Sequence, residues 1–97
     1  MKITSKHKKF LKGLAHSLSP VVMVGSQGVS DAVRREIQAT LEAHELIKIR
    51  VRCENQQELR GVAASILEDV NACLVQIIGH SVVLYRRGKD EKIKLPA

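Results

Sequence analysis

Aromatic residues are nearly missing from this chain. Phe10 and Tyr85 are the only two among 97 residues, and there is no tryptophan. A sheet that stacks nucleobases on two or three exposed rings is therefore excluded. Cysteine is almost as scarce. Cys53 and Cys73 form no metal-ligand spacing and are too few for a disulfide framework, so both read as reduced, partly buried thiols. No uninterrupted apolar run approaches membrane-spanning length. The basic N-terminus does not read as a secretory leader, because Lys9, Lys12 and His16 interrupt its apolar positions and no cleavage site follows. A cytosolic setting with no membrane partner is expected. Acid is absent from the first thirty residues; the first carboxylate is Asp31.

What is present suits one domain over residues 1–97, with 44% hydrophobic residues and 16 Lys+Arg against 10 Asp+Glu. The net charge of +6 suggests a polyanionic partner, nucleic acid before an acidic membrane surface. Its distribution says more. Lys2, Lys6, Lys8, Lys9 and Lys12 form one group; Lys48, Arg50 and Arg52 a second; Arg86, Arg87, Lys89, Lys92 and Lys94 a third, diluted by Asp90 and Glu91.

Thr4 or Ser5 can cap a basic first helix over about 4–18, with Phe10, Leu11, Leu14, Ala15 and Leu18 at helical spacing and Ser19-Pro20 ending it. Phe10 is assigned to the core. Val21 to Val24 reads as a short buried strand, and Ser30 caps a second helix bearing Val33, Ile37, Thr40, Leu41 and His44 on one face. In LIKIRVR, Ile47, Ile49 and Val51 alternate with Lys48, Arg50 and Arg52, the pattern of a strand with one wet face. Asn55 and Glu58 form a capping box before a third helix with the stripe Leu59, Val62, Ala63, Ile66, Leu67 and Val70, stopped at Asn71. Two strands joined at Gly79-His80 follow, and the charged tail from about 88 to 97 is expected to be loose. The order α-β-α-β-α-β-β predicts an α/β two-layer sandwich with a four-stranded mixed sheet, the first helix being an addition to the core unit.

Gly25 and Gly28 bracket Ser26 and Gln27 at the turn from strand to helix. Without a Cβ the backbone turns sharply and lets a ligand approach, and the following helix offers unpaired N–H groups and its positive dipole end. A phosphate fits such a place, as in the G-x-x-G loop with which KH domains clamp nucleotides. The longer P-loop and the G-x-G-x-x-G patterns are absent, so the phosphate belongs to a polymer rather than to a small-molecule substrate. Arg34 and Arg35 lie within reach of this loop.

VVMVGSQG followed by a helix and HELIKIRV resembles the CRM domain, the chloroplast RNA splicing and ribosome maturation module, in particular its bacterial stand-alone form, the YhbY family. The likeness extends to LKGLAHSLSP and to the IGHSVVLYR hairpin, nearly the whole chain. It implies a fold like the C-terminal domain of translation initiation factor 3, an RNA partner, and, for the bacterial form, association with ribosomal RNA of the precursor of the large subunit. Gly25, Ser26, Gln27 and Gly28 would then be the RNA-contacting loop, and Lys48 part of the matching ELIK segment. Members often carry a basic residue between the two glycines, whereas Ser26 and Gln27 are neutral, so more of the grip falls to Lys6, Lys8, Lys9, Lys12, Arg34 and Arg35, with Lys48, Arg50 and Arg52 extending the surface.

Scarce aromatics point to recognition of phosphate and RNA shape with weak sequence preference. His7, His16, His44 and His80 match no metal-ligand or catalytic spacing, and His44 is expected to be a hydrogen-bonded structural residue. Glu68 and Asp69 read as a solvated pair rather than an acid/base couple. A non-catalytic monomer without metal or cofactor is expected. The alternatives are a DNA-binding architectural protein and a protein-interaction module docking on ribosomal proteins.

Overall fold

The computed structural model describes residues 3–97; Lys2 lies outside them. The elements are α1 (Ser5–Ala15), β1 (Val22–Val24), α2 (Asp31–His44), β2 (Leu46–Val51), α3 (Gln56–Val70), β3 (Cys73–Ile78) and β4 (Ser81–Tyr85), the expected order. The sheet runs β1-β2-β4-β3, with β1 parallel to β2 and the other pairs antiparallel. A bulge between Leu74 and Gln76 interrupts the β3–β4 ladder.

The local signals act where the sequence places them. Thr4, Ser30 and Asn55 each accept a hydrogen bond from the backbone N–H three residues on. The Glu58 carboxylate returns to the N–H of Glu54, one residue before the cap. Asn71 closes α3 in the left-handed conformation. Helix α1 ends at Ala15, earlier than Pro20 requires, because the chain passes into a turn at His16 and Ser17 and must return to the sheet edge.

Two apolar clusters hold the sheet. On one face Val22, Val24, Ile47, Ile49, Val51, Val82 and Leu84 pack against Ile37 and Leu41 of α2 and Leu59, Ala63, Ile66 and Val70 of α3. This is the expected two-layer sandwich. On the other face Leu46, Val75, Val83 and Tyr85 receive Leu11 and Ala15 of α1, with Leu18, Ile93 and Leu95 alongside. The added helix thus forms a partial third layer. Only two of its five striped residues reach full burial, and Phe10, assigned to the core, is 38% exposed. One helix on one end of a sheet buries a narrow stripe, and Phe10 falls beside it.

The tail expected to be loose is pinned. It carries no regular helix or strand, but the Glu45 carboxylate accepts from the N–H groups of Gly88, Lys92 and Ile93, each at 3.0 Å. Lys92 Nζ donates to the Ala43 carbonyl at 2.6 Å, and Lys6 Nζ to the Ala97 carbonyl at 2.7 Å. The His7 ring lies 2.9 Å from the Pro96 carbonyl. Polar composition signalled looseness; what it carried instead was donors for a buried carboxylate and for the helix-end carbonyl of Ala43.

Candidate nucleic-acid interface

The Gly25–Gly28 segment is a tight turn closed by the Gly28 N–H donating to the Gly25 carbonyl at 3.1 Å. Gly28 has φ +91, where a side chain is strained. Gly25 has no such backbone demand, and a Cβ built on it meets nothing within 4 Å. Gly25, Ser26 and Gln27 are exposed, so no side chain plugs the turn. After it, Ser30 Oγ accepts from the Val33 N–H and the Ser30 carbonyl from the Arg34 N–H, which begins α2 and leaves the first N–H groups of the helix facing outward.

Parallel pairing decides which cations stand beside this turn. Val24 pairs with Val51, and the Arg52 N–H donates to the Val24 carbonyl at 2.9 Å, so Arg52 runs alongside Gly25. Arg50 pairs with Met23. Both arginines are exposed, and among the described residues no carboxylate pairs with either. Arg52 lies one residue beyond β2 rather than within it.

Lys48 and Arg50 project from the face that α1 covers, since Leu46, on the same alternation, packs on Leu11 and Ala15. Lys6, Lys8, Lys9 and Lys12 therefore belong to that same side of the molecule. Lys9 and Lys12 are exposed; Lys8 is half-buried and Lys6 is engaged with the tail. Lys48 is half-buried too, its Nζ donating to the Leu18 carbonyl at 2.9 Å.

Helix α2 contributes less than its sequence suggests. Arg34 Nη1 lies 2.7 Å from Asp31 Oδ1 and its Nε 3.0 Å from Asp69 Oδ2. The bond to Asp69 and its charge, then those of Asp31, raise the guanidinium above its ordinary value despite some desolvation. Asp69, read from sequence as merely solvated, is thus a partner, and Arg34 is already compensated. Arg35 is exposed beside it.

The third basic group stands at the opposite end of the sheet, because Tyr85 pairs with Leu46 at the start of β2. Arg86 there is structural, donating to the Val70 carbonyl at 2.8 Å and to the Gln38 side chain. Sequence reasoning missed Glu45 altogether. It is 1% exposed, with φ 65 at the end of α2, while neighbouring His44, expected to be the structural residue, is exposed. Burial pushes the Glu45 carboxyl up, but the N–H bonds from Ile93, Lys92 and Gly88, with the Lys92 charge, outweigh it and hold the group below its ordinary value. Among the described residues no cluster of three His, Cys, Asp or Glu is placed to hold a metal ion, and no helix is long and apolar enough to cross a membrane.

Known proteins resemble the chain along nearly its whole length. The family model described as the CRS1 / YhbY (CRM) domain matches residues 3–86. An RNA-binding protein of Haemophilus influenzae is 44% identical over 94 residues, covering 97% of this chain and 95% of its own. YqeI of Bacillus subtilis, named a probable RNA-binding protein, is 40% identical over 95 residues, covering 97% and 99%. The solution structure of SAV1595 from Staphylococcus aureus, a protein proposed to bind RNA, superposes with a TM-score of 0.87 at 35% identity, covering 98% of this chain and all of that one. With most of its length matched by the family model and its fold shared, the chain belongs to the CRS1/YhbY (CRM) domain family.

Proposed function

We propose that this protein is a non-catalytic RNA-binding protein that associates with ribosomal RNA during assembly of the large ribosomal subunit in the cytoplasm. The observation that carries the binding mode is the Arg52 N–H bond to the Val24 carbonyl, which sets a cationic strand end against an exposed, unplugged Gly25–Gly28 turn. In this mode the turn admits a sugar-phosphate backbone. Ser26 and Gln27 supply hydrogen bonds, Arg50 and Arg52 neutralise phosphates at the turn, and Arg35, Lys9 and Lys12 add longer-range attraction. Lys48, Lys6 and Arg34, already bonded within the fold, serve mainly to hold the scaffold, while Lys8 joins Lys9 and Lys12 on the same helix. The RNA-binding names of the relatives support the class of partner.

Binding to protein-free large-subunit rRNA fragments, measured against salt, tests this reading. Affinity is expected to fall by roughly 0.7 to 0.9 log units per log unit of salt for each phosphate neutralised, and RNA is expected to outcompete DNA of equal length. Salt-independent binding, or no binding without ribosomal proteins, would count for a protein-docking module instead. A preference for duplex DNA would count for an architectural role.

A further inference from the structure

The uncovered part of the α1 face has an unusual composition. Pairing aligns Met23 of β1 with Arg50 of β2, Arg50 with Ser81 of β4, and Ser81 with Ile78 of β3, one row crossing all four strands. Helix α1 covers the neighbouring residues Leu46, Val75, Val83 and Tyr85 but not this row. Met23 is 61% exposed and Ile78 50%, so both ends of the row present bare apolar side chains with a guanidinium between them. Solvent-facing strand positions are ordinarily polar, and both Met23, between buried Val22 and Val24, and Ile78, at the end of β3, depart from that rule. A hollow lined by Met23, Arg50, Val51, Arg52, Cys53 and His80 lies directly beside the row. The Arg52 N–H is bonded to the Val24 carbonyl, so one residue lining this hollow stands next to the strand end that leads into the Gly25–Gly28 turn.

We propose that the Met23–Arg50–Ser81–Ile78 row and its adjoining hollow seat unpaired nucleobases of a single-stranded RNA whose phosphates follow Arg52 and the glycine turn. This inference rests on the RNA-binding reading and deepens it, naming single-stranded RNA as the form bound. A base has an apolar face and a polar edge, which is what the row matches. The Arg50 guanidinium plane stacks on a ring as readily as it pairs with phosphate. The Met23 thioether is polarizable and makes favourable contacts with aromatic rings. With strands about 4.8 Å apart, the row is long enough for more than one base. Arg52 at the rim supplies the positive charge that a strand passing between the row and the turn needs, which favours a nucleic acid over an apolar protein surface.

The test compares a fluorescently labelled single-stranded oligoribonucleotide with an abasic strand of the same length, using the full chain. The intact protein is expected to bind the base-bearing strand about tenfold more tightly. Met23→Ser, at an exposed site, is expected to weaken that strand roughly 3- to 10-fold and leave the abasic strand unchanged. Arg50→Lys, which keeps the charge but not the plane, should lose base preference while retaining the salt slope. Alkylation of Cys53, followed by mass spectrometry, should be slowed by the base-bearing strand more than by the abasic one. Equal affinity of the intact protein for the two strands overturns the proposal, as does a Met23→Ser effect that is nil or the same on both; the bare row is then left for a protein partner. Those outcomes leave the RNA-binding reading standing, whereas absence of salt-dependent binding to either strand overturns both.

Discussion

A Cβ on residue 88 would stand 2.5 Å from Oε2 of Glu45, closer than any real contact, so the glycine is there to let the carboxylate pass. Three N–H groups hold that carboxylate, and it has little freedom to yield. Gly88→Ala is therefore expected to destabilise the fold by about 1–3 kcal/mol and to expose residues 88–97 to proteases. Thermal unfolding and limited proteolysis measure the two effects; an unchanged melting temperature with a protected tail would contradict the clasp.

The same carboxyl sets an acid limit. A group held below its ordinary value stabilises the folded chain above the usual carboxylate range and loses that contribution as pH falls through its folded value. Stability is thus expected to decline on acidification below the ordinary glutamate range. Glu45→Gln, lacking the charge, should flatten that decline. The check is denaturant unfolding of both proteins across the acidic range.

The two glycines of the turn are expected to behave differently. Gly25 has open space around its missing Cβ and no backbone strain, so Gly25→Asp should leave unfolding nearly unchanged while weakening RNA binding tenfold or more through repulsion at the phosphate site. Gly28→Ala must place a side chain at φ +91 and should cost about 1 kcal/mol of stability. Parallel melting and binding curves separate the roles. A Gly25→Asp protein that binds RNA normally removes the turn from the interface.

Arginines of similar sequence promise also part company. Arg52→Ala should lower the slope of log affinity against log salt by roughly one phosphate's share, about 0.7 to 0.9. Arg34→Ala should leave the slope nearly intact, since Asp31 and Asp69 already neutralise that guanidinium. Equal losses at the two positions would show that the ion pairs open on binding.

Much of this was legible in the residues. Cap side chains at Thr4, Ser30 and Asn55 act within three residues, and the alternation in β2 is a property of neighbours, so both signals survive without knowledge of the whole. What was hidden depends on contacts far apart in the chain. Glu45 gains its role from residues more than forty positions later, and no local pattern marks a carboxylate as buried. Arg34 looked free because Asp69, one of its two carboxylate partners, sits on another helix. Met23 was concealed by a different rule: in an apolar run such as Val21 to Val24, an outward residue that is itself apolar erases the alternation that would have revealed an edge strand.

The edges of the sheet have a consequence for behaviour in concentrated solution. The β1 rim is three residues long, begins just after Pro20, which has no N–H to donate, and ends in a turn; the β3 rim is broken by the bulge after Leu74. Neither rim offers an uninterrupted ladder on which a foreign strand could zip, so a chain with exposed methionine and isoleucine next to cations is guarded against fibrous self-association while its apolar row stays open to solvent.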